Sequence, residues 1–310
     1  MIKVFIPGGA GYLGSVLSTL LVKKKFKVTV YDSLMFDDSS LKHLKKFSNF
    51  KFRKCDVNDI NNISSQLKTN DVVIPLAALV GAPFCAKYPK LAKKTNLDLI
   101  KKIVKKIHKD QLLILPNTNS GYGIGKKDSY CDENSPLNPV SLYGKLKVES
   151  EKIAMNHENS VCFRLATVFG VSHRMRLDLL VNDFVYRALR DRYIVLFEKN
   201  FRRNFIHTKD VAETFLYSIN NHKKLKNNIY NLGLSSANLT KYQLCNKIKR
   251  HIKDLKIIVS NIAKDPDKRD YIVSNKKLES TGWKPKYSLD YGIKELINYL
   301  KDKNFRPGNY

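Results

Sequence analysis

The first part of the chain constrains the fold most. A short apolar segment, residues 2–6, leads into three glycines spaced three residues apart, Gly8, Gly11 and Gly14, and a helical apolar pattern follows over residues 13–21. Strand, glycine turn and helix in this order are typical of a dinucleotide-binding βαβ unit. We expect Gly8 to form the tight turn, Gly11 to admit a pyrophosphate, and Gly14 to let the helix pack closely on the strand.

An acidic residue follows at the distance that this kind of site requires. A second apolar segment, residues 27–31, ends at Asp32, which lies 18 residues after Gly14. A carboxylate there binds the adenosine ribose and repels a 2′-phosphate, and Ser33 and Leu34 bring no arginine, so NAD is favoured over NADP. The alternative is a glycine turn without a ligand, with Asp32 as a helix cap. Asp56, after the next strand-like run, suits an adenine contact or an ordinary turn equally well.

Length and periodicity predict the architecture. Apolar runs alternate with helical stretches along the whole chain, which indicates parallel βαβ units. The 310 residues suffice for one large α/β domain, alone or with a smaller lobe. We therefore predict an α/β fold with a Rossmann-like, doubly wound parallel sheet and a smaller C-terminal substrate-binding lobe.

The charge of the chain, +28, invites a nucleic-acid interpretation. The lysines, however, are spread over predicted helix faces, and no basic block has interleaved stacking aromatics. We expect a basic surface that steers an anionic nucleotide substrate and binds no nucleic acid.

The cysteines and the apolar runs suggest where the protein works. Five cysteines are scattered, without a CxxC pair, so we expect reduced thiols, no metal ion and a cytoplasmic location. The longest apolar stretch, residues 72–80, is too short to cross a bilayer, and the fold begins at residue 2, which leaves no room for a signal peptide. No membrane association is expected.

Two residues suggest a reaction. Tyr143 and Lys147 lie four residues apart, hence on one face of a predicted helix. A nearby cation favours the phenolate and lowers the tyrosine pKa, which would make Tyr143 a proton shuttle for an alcohol or a ketone. The spacing alone is weak evidence, because a Tyr and a Lys four residues apart usually lie on a solvated helix face.

The loop after the apolar run Leu112–Pro116 makes the interpretation specific. Thr118 lies in this loop, 25 residues before Tyr143. With the glycine motif, these residues resemble the extended short-chain dehydrogenase/reductases of the nucleotide-sugar epimerase/dehydratase family, over nearly the whole chain. The resemblance implies that Tyr143 takes the proton of a sugar hydroxyl, that Thr118 bonds the same oxygen, and that Lys147 binds the nicotinamide ribose while hydride passes to NAD.

The motif and the resemblance together define a candidate cofactor site. It comprises residues of the glycine turn, of the strand ends and of the catalytic helix: Gly8, Gly11, Tyr12, Leu13, Gly14, Asp32, Ser33, Asp56, Val57, Leu76, Ala77, Ala78, Asn96, Tyr143, Lys147, Leu165, Thr167 and Val168. The resemblance assigns NAD to residues 1–169 and 205–235, and the sugar nucleotide to residues 170–204 and 236–310.

The substrate side is predicted from a second group of residues. Dehydratases of the family carry Thr-Asp-Glu where this chain has Thr118, Asn119 and Ser120, and neither Asn nor Ser shuttles protons at neutral pH as a carboxylate does, so dehydration is not expected. Oxidation, reduction or epimerisation at one sugar carbon remains. The resemblance places the diphosphate at Asn182, Arg203 and Arg269; ordinary surface ion pairs are the alternative for the arginines.

Four segments of the chain narrow the resemblance to one branch of the family. The runs at residues 76–83, 117–125, 174–184 and 231–240 resemble the branch of NAD-dependent dehydrogenases that act at C4 of GDP-manno-heptose in capsular heptose biosynthesis. If NADH stays bound, a small keto acid such as 2-oxoglutarate would reset it, and Arg174 and Arg176 would receive its carboxylates. A C4 epimerase is the main alternative, and a non-catalytic NAD-sensing or nucleic-acid-binding scaffold is a remote one. The family also implies a homodimer or higher homo-oligomer.

Overall fold

The chain was described from a computed structural model that covers residues 1–36, 39–126, 129–260, 262, 269–301 and 303. The strands over these residues are β1 Lys3–Pro7, β2 Lys27–Asp32, β3 Phe50–Lys54, β4 Val72–Val73, β5 Leu112–Thr118, β6 Tyr130–Cys131, β7 Ser160–Leu165, β8 Thr167–Phe169, β9 Tyr193–Leu196, β10 Arg202–His207, β11 Asn228–Leu232, β12 Asn238–Thr240, β13 Lys256–Val259 and β14 Ile272–Val273. The helices are α1 Tyr12–Lys23, α2 Ile60–Thr69, α3 Ala82–Lys87, α4 Pro89–Lys93, α5 Leu99–Lys106, α6 Leu142–Ala154, α7 Leu180–Arg190, α8 Thr208–Asn220, α9 His222–Leu225, α10 Lys241–His251, α11 Lys276–Glu279 and α12 Leu289–Leu300. A π-helical turn, Lys94–Asp98, joins α4 to α5, and short 3₁₀ turns lie at Lys42–Leu44 and Asn119–Tyr122.

The main sheet is parallel and doubly wound, as the sequence predicts. Within the described ranges its seven strands run in the order β11-β7-β5-β4-β1-β2-β3, and every pair is parallel. The strand order reverses between β1 and β4. Ligands of open α/β sheets bind in the crevice beyond the carboxyl ends of the strands at such a point, so this reversal fixes where a site is expected.

The glycine turn is dictated by the packing of the protein itself at two of its three glycines. Gly8 has φ +84°, and a Cβ there would lie 2.1 Å from the backbone nitrogen of Ala77. A Cβ on Gly14 would lie 2.6 Å from the carbonyl oxygen of Gly9. Side chains are therefore excluded at both positions, which brings the first turn of α1 close to the ends of β1 and β4. The sequence predicts that Gly14 packs against a strand. In the structure it packs against the glycine turn.

Smaller sheets form the rest of the molecule. A three-stranded sheet has the order β12-β10-β8, while β13 pairs with β9 and β14 pairs with β6. Helices α7, α10 and α12 pack on one another beside these strands, and α8 packs against α1. Because β11 returns to the main sheet, the two parts are connected more than once along the chain. No helix among the described residues is both long and apolar enough to span a membrane, and all five cysteines are free thiols.

A buried ion pair joins α6 to strands β5 and β7 of the main sheet. The Arg164 guanidinium on β7 donates to both carboxylate oxygens of Glu151 on α6, with Nη2–Oε1 at 2.7 Å and Nε–Oε2 at 3.1 Å. The Asn117 amide on β5 donates to the same carboxylate at 2.7 Å. Arg164 Nη1 also donates to the hydroxyl of Tyr122 at 3.0 Å, beyond the end of β5. One carboxylate thus fixes α6 against two strands and the loop that follows β5.

Removing the Glu151 carboxylate should therefore be costly. The pair side chains are at most 5% exposed, so Glu151→Ala would leave a buried guanidinium without its anion. We expect the free energy of unfolding to fall by about 3–5 kcal/mol, measured by urea denaturation. The matched control is Glu149→Ala on the same helix, which removes a solvent-exposed pair with Lys101 and should cost at most about 1 kcal/mol. Equal losses for the two variants would contradict the proposed importance of the buried pair.

Candidate active site

The predicted catalytic residues meet at the carboxyl end of the sheet. Thr118 ends β5, and Tyr143 lies in the first turn of α6. The Ser141 hydroxyl caps this helix by accepting the backbone N–H of Gly144 at 3.1 Å, which fixes where the helix begins. Lys147 follows one turn later on the same face, so that all three residues lie beside the reversal of the strand order.

The nucleotide end has the properties of a pyrophosphate site. Gly11 is the N-cap of α1, and no side chain of the described residues caps this helix. A Cβ on Gly11 would meet only the Gly8 carbonyl oxygen, at 3.6 Å, so the protein's own packing does not require glycine at this position. The glycine instead keeps the helix N-terminus open, where unpaired N–H groups favour an anion.

Asp32 is fixed against the glycine turn. Its Oδ2 accepts the Ala10 N–H at 3.0 Å, and its Oδ1 accepts the Leu34 N–H at 2.9 Å. Burial raises the pKa of this carboxyl, while the two backbone donors and the Arg174 charge act in the opposite direction. A fixed carboxylate at the end of β2, beside an open helix N-terminus, fits the adenosine ribose and pyrophosphate of NAD.

The remaining predicted cofactor residues surround these groups. Asn96 is buried and grips the backbone of Leu79, accepting its N–H and donating to its carbonyl, each at 2.8 Å. This contact holds the loop after β4, in which Leu76 and Ala77 hydrogen-bond to Pro7. Those two N–H···O distances are 2.8 and 2.9 Å.

Five of the predicted positions lie farther along the strand ends. Asp56 Oδ1 accepts the Asn58 N–H at 2.9 Å, which is the turn geometry that the sequence left open, and its adenine contact stays a prediction. Val57 is buried, and Leu165, Thr167 and Val168 lie in β7 and β8.

The Asn182 side chain forms its hydrogen bonds within the protein. Its amide nitrogen donates to the Tyr12 hydroxyl at 3.2 Å and to the Arg176 carbonyl at 2.9 Å, and its amide oxygen accepts the Gly170 N–H at 3.1 Å. The Tyr12 hydroxyl donates in turn to the Gly170 carbonyl at 2.6 Å. Tyr12 and Asn182 thus fasten the segment after β8 to the first turn of α1. A diphosphate could be bound by the Asn182 side chain only if one of these bonds opened.

The electrostatics of Tyr143 differ from the sequence expectation. Burial raises the pKa of Tyr143 to about 12, and the nearby Arg269 and Arg176 charges and a hydrogen bond with Thr118 offset this only in part. Burial also lowers the pKa of Lys147 to about 8. The Lys147 ammonium donates to the Pro116 carbonyl at 2.6 Å. The expected net lowering of the Tyr143 pKa is not found, because desolvation of the phenolate outweighs the cations around it, and the contribution of Lys147 stays a prediction.

A chain of hydrogen bonds extends from Thr118 to the C-terminal part of the molecule. Thr118 Oγ1 and Ser120 Oγ lie 2.9 Å apart, and Arg269 Nη1 donates to Ser120 Oγ. Arg203 Nη1 donates to the carbonyl oxygen of Arg269 and so supports the segment that carries it. Both arginines predicted to bind phosphate are therefore in contact with each other, and the Arg269 charge acts on Tyr143.

The structure does not bring Arg174 and Arg176 to one place. The Arg174 guanidinium lies 4.7 Å above the ring of Phe36, and its charge acts on Asp32. Arg176 pairs with Asp178 and acts on Tyr143. The two guanidiniums face opposite ends of the site, so the prediction that both receive one keto acid is not supported for Arg174.

Sequence reasoning missed several residues of the site. Glu151, Arg164 and Tyr122 support the catalytic helix, and the buried Cys85 thiol lies close enough to Tyr143 to raise its pKa. Only Glu151 gave a signal that could have been used. It lies four residues after Lys147, and hence on the helix face that carries both predicted catalytic groups.

The first two glycines of the turn provide a test of the cofactor site. Gly11→Ala should leave the thermal unfolding midpoint nearly unchanged and weaken NAD binding by about tenfold or more, because the methyl group would enter only the space left for pyrophosphate. Gly8→Ala should instead lower the unfolding midpoint, because its Cβ would overlap Ala77. Thermal melts and isothermal titration with NAD would measure both effects. Unchanged NAD affinity in Gly11→Ala would contradict the assignment.

Comparisons with known proteins agree with this geometry. Residues 4–233 match the family described as the NAD dependent epimerase/dehydratase family. A putative UDP-glucose 4-epimerase of Methanocaldococcus jannaschii is 25% identical over 97% of this chain and 99% of its own length. UDP-glucose 4-epimerase of Thermotoga maritima, solved with UDP-glucose, superposes with a TM-score of 0.83 at 25% identity, covering 97% of this chain and 99% of that one.

A third comparison concerns the fold alone. dTDP-glucose 4,6-dehydratase of Bacillus anthracis, solved with NAD, superposes with a TM-score of 0.81 at 20% identity, covering 98% of both chains. The Rossmann-like fold, the use of NAD and the enzymatic nature of the protein, all predicted from the sequence, are confirmed. The family match covers well over half of the chain, which therefore belongs to the NAD dependent epimerase/dehydratase family.

Proposed function

We propose that this enzyme oxidises C4 of a nucleotide-activated sugar, and that the sugar is GDP-D-glycero-α-D-manno-heptose, in the biosynthesis of a capsular or other surface polysaccharide. The observation that carries the reaction type is the loop after β5. Thr118 is followed there by Asn119 and Ser120, neither of which is an acid or a base at neutral pH. The identity of the sugar is supported by the resemblance of the sequence to one branch of the family.

Asn119 supports the view that this loop receives a polar ligand. The residue is 1% exposed, and neither its amide nitrogen nor its amide oxygen has a hydrogen-bond partner among the described residues. Buried amides are rarely left unpaired, so a hydroxyl-rich ligand beside Asn119 would satisfy both atoms. A sugar has the required donors and acceptors.

Residues of this chain account for the removal of the proton from the sugar hydroxyl. Tyr143 would accept the proton of the C4 hydroxyl, and Thr118 would hold the same oxygen in place. Bound NAD supplies the hydride acceptor and a positive charge on its ring. Lys147, held by Pro116, would meet the ribose of the nicotinamide half. We place the diphosphate near Arg203 and Arg269, because the Arg203 guanidinium contacts the backbone carbonyl of Arg269 and guanidiniums suit phosphate oxygens.

The proposal also covers the domains, the oligomeric state and the location of the protein. We propose that residues 1–169 and 205–235 carry NAD and that residues 170–204 and 236–310 carry the sugar nucleotide. A homodimer through α5 and α6 follows from the family resemblance, and a cytoplasmic location is supported by the five free thiols.

A C4 epimerase is the second candidate, since two of the similar proteins above are named as UDP-glucose 4-epimerases. Both reactions begin with the same oxidation. In an epimerase the keto sugar rotates within the site and receives the same hydride back on its other face. In a dehydrogenase the keto sugar leaves the site. The residues described above are compatible with both outcomes, and the product distinguishes them.

The deciding experiment offers the purified enzyme a panel of GDP- and UDP-sugars and follows NADH absorbance and product mass. We expect a GDP-heptose product that is lighter by two hydrogens. Tyr143→Phe should reduce turnover by at least about a hundredfold, since the proton acceptor is lost. An unchanged product mass with altered stereochemistry would favour the epimerase, and full turnover by Tyr143→Phe would contradict both enzymes.

A related prediction concerns the second oxidant. If NADH remains bound after oxidation, a small keto acid such as 2-oxoglutarate would reoxidise it. Arg176 would receive a carboxylate, because its charge lies near Tyr143. We expect added 2-oxoglutarate to increase turnover severalfold and to be reduced stoichiometrically, and Arg176→Met to weaken the effect. Turnover that is indifferent to every keto acid tested would exclude this role.

A further inference from the structure

A continuous set of hydrogen bonds leads from a guanidinium to the catalytic tyrosine. Arg269, just before β14, donates through Nη1 to the Ser120 hydroxyl. The Ser120 and Thr118 hydroxyl oxygens lie 2.9 Å apart, and Thr118 is near enough to Tyr143 for hydrogen bonding between their side chains to lower the pKa of Tyr143. Ser120 is only 2% exposed, so water does not compete for the hydrogen bonds at the middle of this series. Two hydroxyl groups thus separate a permanent cation from the phenol.

Donor and acceptor capacities fix the direction of this chain. A guanidinium can only donate, so the Ser120 oxygen accepts from Arg269 and its hydroxyl hydrogen is available for Thr118. The Thr118 oxygen also accepts the backbone N–H of Ser120, at 3.1 Å. With two bonds accepted, Thr118 Oγ1 has only its hydrogen left, and before the sugar binds that hydrogen can be donated to Tyr143. Every bond therefore points toward the tyrosine oxygen, which suits a phenolate as the final acceptor.

We propose that Ser120 and Arg269 are positioning residues that act through Thr118 to stabilise the phenolate of Tyr143. The proposal rests on the proposed role of Tyr143 as proton acceptor and adds a cause for its basicity. Arg269 takes the part that the sequence assigned to Lys147, whose ammonium is bonded to the Pro116 carbonyl. A hydroxyl is needed at position 120, because a carboxylate there would accept from Arg269 but could not donate to Thr118.

Other titratable and charged groups also face Tyr143. The Cys85 thiol approaches from α3, the Arg176 guanidinium from the segment before α7, and Arg269 from the segment before β14, while Lys147 shares α6 with the tyrosine. Only Arg269 is joined to Thr118 through a hydroxyl group in the described contacts. A substitution at Ser120 interrupts that connection and leaves these other charges in place.

The test compares the pH dependence of the NAD-loaded enzyme and three serine variants. Ser120→Ala should raise the pKa that governs the rise of kcat/KM by about one unit, because the hydrogen that Ser120 gives to Thr118 is lost. Ser120→Thr keeps a hydroxyl and should retain the wild-type pKa. Ser141→Ala, the matched control, removes a hydroxyl that caps the same helix and should leave this pKa unchanged.

A second readout does not depend on turnover. Tyrosine labelled with ¹³C at Cζ reports the phenolate by its chemical shift in the NAD-loaded enzyme, and Tyr143→Phe identifies the resonance among the 16 tyrosines. Arg269→Gln should raise the pKa of Tyr143 as Ser120→Ala does, and Arg269→Lys should raise it less. The proposal is overturned if Ser120→Ala and Arg269→Gln slow the reaction without moving the titration of Tyr143.

Failure of this proposal is distinguishable from failure of the proposed function. An inactive Tyr143→Phe together with an unmoved titration in Ser120→Ala would reject only the relay. An active Tyr143→Phe would reject the role of the tyrosine itself. If Ser120→Ala does not fold, the Arg269 variants and Ser120→Thr give the same comparison.

Discussion

The buried pair between Glu151 and Arg164 is the interaction on which the site depends most. It places an anion and a cation where almost no water reaches them, and such a pair is stable only when its remaining donors and acceptors are satisfied. Asn117 and Tyr122 provide those partners from β5 and from the loop after it. The strand that ends at Thr118 and the helix that carries Tyr143 are thereby held at a fixed separation, which the proposed action of both side chains on one hydroxyl requires.

The nucleotide half of the molecule was predictable because its causes are local. Gly8 needs a positive φ and a close backbone neighbour, and Asp32 lies at the end of an apolar segment of obvious period, so residue type and spacing were sufficient. The same holds for Thr118, Tyr143 and Lys147, whose helical and strand-end positions follow from short-range patterns. The parallel sheet followed from alternation along the chain.

What the sequence could not predict depends on contacts between distant segments. Arg174 and Arg176 are two residues apart, yet one lies over Phe36 and the other acts on Tyr143, a difference set by the packing of the segment after β8. Asn182 joins Tyr12 to Gly170, which its sequence position did not reveal, and its contact with the diphosphate stays a prediction. The tyrosine pKa was misjudged for a related reason, because the cost of burying a phenolate depends on the folded surroundings and not on the spacing of a nearby lysine.

The position of Arg269 late in the chain has a consequence for how the enzyme matures. The glycine turn, the strands of the main sheet up to β7 and the catalytic helix are all synthesised well before residue 269. A nascent chain could therefore bind its dinucleotide while the guanidinium that contacts Ser120 is still within the ribosome. Competence to remove a proton would arrive last, when the carboxyl-terminal segment docks.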